Sequence, residues 1–168
     1  MSVLDILKQY ANPSAAPAAE VSGHFDTVAQ QAAPKDLGGG IAAALRSDAT
    51  PSFGQTIGGL FSRSTPDQQA GLLNHLVQAL GPSALSGLGG GLLGRVLGSS
   101  GASAPISATQ AAQVSPADVS AMASHAEQHD GSIIDTIGNF YAQHPTLVKT
   151  LGVAALSVAM SHMGKQQS

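Results

Sequence analysis

The sequence predicts an all-α protein, a multi-helix bundle of short helices. Of its 168 residues, 28 are alanine and 20 are glycine, whereas only six are aromatic and none is tryptophan. Sandwiches and barrels need many strands rich in β-branched and aromatic residues, and the sequence scatters these residues. Apolar residues recur at helical spacing instead. We therefore expect short helices that pack through glycine and alanine and are joined by flexible linkers.

Helix starts are marked where a serine or threonine directly precedes a proline. Three such pairs occur: Thr50-Pro51, Thr65-Pro66 and Ser115-Pro116. The hydroxyl caps the first backbone N–H groups, and proline is tolerated at the first helical position. Thr65 with Gln68, and Ser107 with Gln110, also match the capping box. These signals predict helices that begin at Pro51, Pro66, Ala108 and Pro116.

Helix ends are marked by glycine and proline. They are expected at Gly81-Pro82, Asp130-Gly131 and His144-Pro145, because proline lacks a backbone donor and glycine accepts the left-handed cap. Between these limits, apolar residues form stripes at helical spacing. One stripe runs from Leu73 to Leu80, a second from Ile133 to Tyr141 and a third from Leu147 to Val158. The mixture of apolar and charged residues at the N-terminus predicts a short amphipathic helix there.

Two low-complexity stretches divide the chain. One is rich in alanine and proline and the other in glycine, serine and alanine, a composition typical of linkers. They predict an N-terminal helical peptide with its linker over 1–21, a Gly/Leu-rich helical unit over 22–97, a linker over 98–106 and a C-terminal helical unit over 107–168.

Composition and charge exclude several classes of function. The chain has no cysteine, its net charge is −3, and its seven basic residues are spread along the sequence. Disulfides and thiol chemistry are therefore absent, and we expect no nucleic-acid partner. The N-terminus lacks the apolar centre of a signal peptide, so we expect a cytoplasmic location. The charge-free segment 150–164 has fifteen residues, fewer than the ~18 that a membrane helix needs.

A glycine-rich segment near the middle of the chain has two interpretations. Residues 89–94 match the pattern G-x-G-x-x-G, but no strand pattern precedes them, so we expect no dinucleotide and no other cofactor. Gly90, Gly94 and Gly98 recur every four residues and would form a helix-packing groove on a helix. A flexible loop is the alternative, since glycine in a helix costs roughly 1 kcal/mol relative to alanine.

Histidines are the candidates for site chemistry. His125 and His129 are four residues apart on one predicted helix, so both rings would project from one face, as two metal ligands require. Glu127 points away from them, and the cysteines of zinc deaminases are absent. A solvent-exposed histidine pair is the alternative. No serine lies in a G-x-S-x-G turn, so we expect no enzymatic activity.

The run Leu72–Gly81, LLNHLVQALG, and its continuation Leu88–Gly94, LGGGLLG, resemble the YidB-like small helical proteins of bacteria. The resemblance covers about a third of the chain, and the segment Asp135–Thr150 has no counterpart in that group. It implies a cytosolic helical fold in a bacterium and supplies no catalytic residues.

The sequence thus predicts a non-enzymatic helical interaction or assembly protein. We expect it to form a homo-oligomer or to bind another helical protein, because its glycine row and its apolar C-terminal helix offer surfaces for helix packing. A membrane-associated helical protein is one alternative. A histidine-based metal or cofactor binder is another.

Overall fold

The computed structural model describes residues 2–11, 19–87 and 105–166, which form ten α-helices, one 3-10 helix and no strand. The all-α prediction is confirmed. In chain order the α-helices are α1 (Val3–Ala11), α2 (Val21–Gln31), α3 (Pro34–Leu45), α4 (Phe53–Arg63), α5 (Pro66–Gly87), α6 (Ala108–Ala111), α7 (Pro116–His129), α8 (Ile133–Ala142), α9 (Pro145–Val148) and α10 (Val153–Gln166). The 3-10 helix, Lys149–Leu151, lies between α9 and α10.

The chain folds into two compact units, and each contains its own helix contacts. The first unit joins Met1–Ser52 to Ile134–Ser168, and the second is Phe53–Ile133. The linker composition predicts different boundaries, with units over 22–97 and 107–168. The predicted boundaries follow composition, whereas the observed units follow which helices pack together.

In the first unit, α10 packs against α1, α2 and α3. Its buried residues include Leu156, Ala159 and Met160, none of which is exposed to solvent. Ala44 of α3 joins Ala155 and Ala159 of α10 in a cluster of small buried side chains. Because these side chains end at Cβ, the two helix backbones can approach closely.

In the second unit, α7 packs against α4 and α5, and α6 packs against α5. The side chain of Asn74 on α5 binds the backbone of Ile106 twice: its amide nitrogen donates to the carbonyl oxygen at 3.3 Å, and its oxygen accepts from the N–H at 2.8 Å. These two bonds satisfy the backbone N–H and C=O of the buried Ile106 and hold the chain just before α6 against α5.

The predicted caps are largely observed. The Ser115 hydroxyl accepts from the Asp118 N–H at 3.2 Å, and Ser107 with Gln110 forms a complete capping box. Thr65 and Gln68 make the same reciprocal pair of bonds. The start predicted at Pro51 is wrong, because α4 begins at Phe53. The Thr50 hydroxyl instead donates to the carbonyl oxygens of Ala44 and Ser47, and so it closes the end of α3.

Glycine and proline interrupt the helices where expected. Gly81 leaves the helical conformation inside α5, with φ of 70°. α7 ends at His129, and Pro145 opens α9. The single stripe expected from Leu147 to Val158 is wrong, because the chain turns at Gly152, where φ is 94°. Such a positive φ is open to glycine without steric cost.

No single helix among the described residues is both long and apolar enough to cross a membrane. The segment Pro145–Leu151 and the following helix Val153–Gln166 meet that criterion only as a pair, and they are bent by 118° where they join.

Candidate functional site

The glycine row Gly90, Gly94 and Gly98 lies outside the described residues. Glycines at the same spacing do serve helix packing elsewhere in the chain. On α4, a Cβ added to Gly54 would lie 2.6 Å from the carbonyl oxygen of Ser120, and one added to Gly58 would lie 2.8 Å from that of Pro116. Real Cβ atoms do not come so close to other atoms. The contact between α4 and α7 therefore requires glycine at both positions.

Glycines bring the helix backbones together in the first unit as well. A Cβ on Gly40 of α3 would lie 2.8 Å from the carbonyl oxygen of Ala159 on α10. A Cβ on Gly164 of α10 would lie 2.5 Å from the carbonyl oxygen of Leu7 on α1. Glycine is a poor helix former, so its use at these buried contacts is explained by packing rather than by helix propensity.

The histidine pair lies where the sequence places it, on α7. His125 and His129 are both exposed, one helical turn apart, while Ala126 between them is buried. Within the ranges that the structure describes, no three histidine, aspartate or glutamate side chains cluster as metal ligands would. The metal hypothesis therefore has two ligands and no third protein ligand in this part of the chain.

The first unit contains a cleft of about 410 Å³ among α1, α3 and α10. Two of its lining residues, Tyr10 and Ala43, come from α1 and α3. The other five belong to α10: Ser157, Val158, Ser161, His162 and Lys165. Ser157, Ser161 and Lys165 recur every four residues, as do Val158 and His162, so all five lie along one side of that helix.

The polar groups of the cleft are basic side chains and hydroxyls. Lys165 is exposed, and His162 is half-buried. Nε2 of His162 lies 2.9 Å from the amide nitrogen of Gln166, one turn further along α10. Ser157 and Ser161, also half-buried, are one turn apart. The seven lining residues include no carboxylate, so fixed charge in the cleft is positive.

Tyr10 lines the cleft, and a hydrogen bond fixes the direction of its hydroxyl. Its hydroxyl shares a 2.9 Å hydrogen bond with Nδ1 of His24, and Nε2 of His24 lies 3.7 Å from a carboxylate oxygen of Glu20. Burial raises the pKa of the Tyr10 phenol, and the charge of Glu20 raises that pKa further. The phenol therefore stays neutral at physiological pH, and its hydroxyl is directed toward His24.

Comparison of the chain with protein-family models, with curated proteins and with solved structures finds no match. The resemblance to the YidB-like proteins stays a prediction.

The cleft was not predicted from the sequence. A signal was present in the sequence, because Ser157 and Ser161 lie four residues apart within the charge-free segment 150–164, and Lys165 follows after four more residues. A polar row on a core helix marks a side that the core does not cover. The contribution of Tyr10 and Ala43 could not be read from spacing, since it depends on how α1 and α3 pack against α10.

Proposed function

We propose that this chain is a non-catalytic helical interaction protein that assembles with a second copy of itself. The observation that carries this proposal is the contact between α4 and α7. Gly54 and Gly58, four residues apart, meet the carbonyl oxygens of Ser120 and Pro116 without room for a Cβ. Helices with such a glycine row gain van der Waals contact along their backbones, together with weak Cα–H···O bonds.

The same spacing recurs at Gly90, Gly94 and Gly98. We propose that this row receives a helix of a second copy, as Gly54 and Gly58 receive α7 within one chain. A second copy is the favoured partner because most soluble oligomers are homo-oligomers with closed symmetry. The assembly is proposed to be cytoplasmic.

Sedimentation equilibrium of the purified full-length protein tests this proposal. The 16.7 kDa chain is expected to show a concentration-dependent average mass that approaches a whole multiple of the monomer mass. Measurements should span protein concentrations of roughly 1–100 μM. This range detects association with a micromolar dissociation constant, which corresponds to a binding free energy of about −8 kcal/mol. A mass equal to that of the monomer at every concentration would contradict the proposal.

Membrane association is a second candidate, favoured by one observation. The segment Pro145–Leu151 and the helix Val153–Gln166 together have the length and composition of a membrane span. The burial of Leu156, Ala159 and Met160 within the first unit favours a role in its core instead. Flotation with phospholipid vesicles separates the two candidates: the assembly proposal predicts that the protein stays at the bottom of the gradient, and membrane association predicts that it rises with the vesicles.

A further inference from the structure

We propose that the cleft of the first unit binds a small amphipathic carboxylate of the medium-chain fatty acid type. In this arrangement the carboxylate lies beside Lys165 and His162, and the hydrocarbon chain lies against Ala43 and Val158. The proposal is independent of self-assembly, because all the lining residues belong to the first unit and none lies in the glycine row.

The dimensions of the cleft suit such a molecule. Its volume of about 410 Å³ lies within the roughly 300–1,000 Å³ typical of small-molecule sites. Its long side follows α10 from Ser157 to Lys165, and eight residues at the helical rise correspond to about 12 Å. An extended ligand therefore fits the cleft better than a compact one.

The apolar side of the cleft is formed by small side chains on well-packed helices. Val158 is partly buried and packs on the alanine cluster of α3 and α10. About one turn before Ala43 on α3, Gly40 closely approaches the backbone of Ala159 on α10. This contact fixes the separation of α3 and α10. A cleft whose walls are held by backbone contacts needs little rearrangement to bind a ligand, which lowers the entropic cost of binding.

The charge of the cleft selects an anion. Lys165 supplies a positive charge, and the lining residues include no carboxylate. The hydroxyl of Ser161, one turn before Lys165 on the same side of α10, can donate to a carboxylate oxygen. Tyr10 contributes mainly its ring, because its hydroxyl is engaged by His24 at 2.9 Å. An apolar chain that ends in an anionic group complements this distribution.

A titration followed by ¹⁵N–¹H NMR on the full-length protein tests the proposal, with decanoate, decanol and acetate as probes below the micelle concentration of decanoate. Decanoate is expected to give saturable shifts that are largest at Ala43 and over 157–165. Acetate lacks the chain and decanol lacks the charge, so acetate is expected to leave these signals in place and decanol to bind more weakly. Equal affinity for decanol and decanoate, or decanoate shifts centred elsewhere, would overturn the proposal.

Two variants locate the ligand within the cleft. Ser161→Phe places a ring in the cleft and should abolish saturable binding of decanoate. Lys165→Gln should raise the dissociation constant about threefold, the effect of losing an exposed ion pair. Lys35→Gln, at an exposed lysine of the same unit outside the cleft, is the matched control and should bind as the wild type does. If Ser161→Phe fails to fold, equal affinities of the two lysine variants still overturn the proposal.

Discussion

Gly138 of α8 lies directly against the backbone of Gly38 on α3. A Cβ at position 138 would be 2.6 Å from the carbonyl oxygen of Gly38, and one at position 38 would overlap the side chain of Asn139. Both glycines are buried, and 100 residues separate them in the sequence. This contact links the N-terminal and C-terminal parts of the chain within the first unit.

Substitution of Gly138 by alanine should destabilise the protein. The added methyl group must displace backbone rather than a flexible side chain, so we expect a loss of about 1–3 kcal/mol in the free energy of unfolding. Chemical denaturation measures it. Gly23→Ala is the control, because a Cβ on Gly23 of α2 has no atom within 4 Å. It should leave stability unchanged or raise it by up to about 1 kcal/mol. Equal stability of the two variants would contradict the close-packing account.

Adjacent glycines on α4 give a second, internally matched comparison. Gly58→Ala brings a Cβ to 2.8 Å from the carbonyl oxygen of Pro116, whereas Gly59→Ala brings one into open space. Both substitutions gain the same helix propensity, worth up to about 1 kcal/mol. We therefore expect Gly58→Ala to lower the midpoint of thermal unfolding and Gly59→Ala to raise it. The account fails if Gly58→Ala is the more stable of the two.

Local features of this fold could be predicted from the sequence, whereas its helix contacts could not. Ser107 and Ser115 cap helices as predicted, because a cap depends only on residues three positions apart. The helix start predicted at Pro51 is wrong because the hydroxyl of Thr50 donates to the end of α3 instead. Whether such a hydroxyl accepts from the N–H groups of the next helix or donates to the carbonyl groups of the preceding one depends on where the chain turns.

The sequence likewise shows the glycines without showing what each one contacts. Gly58 and Gly59 are neighbours of the same type, yet a Cβ added to Gly58 would meet α7, whereas one added to Gly59 would meet no atom within 4 Å. The two positions differ because Gly58 lies on the face of α4 that packs against α7, whereas Gly59 lies off that face. The cleft depends on packing in the same way, because α10 supplies only one of its sides.

An ion pair on the first unit gives a pH-dependent prediction. Two nitrogens of the Arg46 guanidinium donate to the two carboxylate oxygens of Asp135, each at 2.9 Å, and these bonds lower the pKa of Asp135 below its ordinary 3.8. Because both side chains are about half exposed, Asp135→Asn should cost only about 0.2–1 kcal/mol at pH 7.

The sign of the pH dependence follows from the lowered pKa. The ion pair stabilises the protein above pH 3.8, where Asp135 is ionised in both the folded and unfolded states. This stabilisation is lost as the pH falls through the lower folded pKa. Thermal unfolding of the wild type and Asp135→Asn should therefore differ at pH 7 and converge at lower pH. Asp48→Asn, at an exposed aspartate of the same unit, is the control. A wild-type advantage that grows on acidification would contradict this assignment.

The histidine pair predicts weak binding of zinc. Two exposed imidazoles one turn apart on α7 supply half of a tetrahedral site, and the described part of the chain brings no third carboxylate or histidine ligand to them. Calorimetric titration with Zn²⁺ should therefore show no site tighter than about micromolar, or roughly −8 kcal/mol. A tighter site lost in both His125→Ala and His129→Ala would restore the metal-binding hypothesis.

The assembly proposal is tested most directly by the mass of Gly94→Leu in solution, measured by light scattering during size-exclusion chromatography. A leucine inserted into a helix contact costs about 1–3 kcal/mol, which weakens association by roughly 5- to 150-fold. Ser100→Leu adds the same side chain six residues further along and is the control. We predict that the wild type and Ser100→Leu elute as the oligomer and that Gly94→Leu elutes at lower mass. An unchanged oligomer in Gly94→Leu would contradict the proposal that this glycine row holds two copies together.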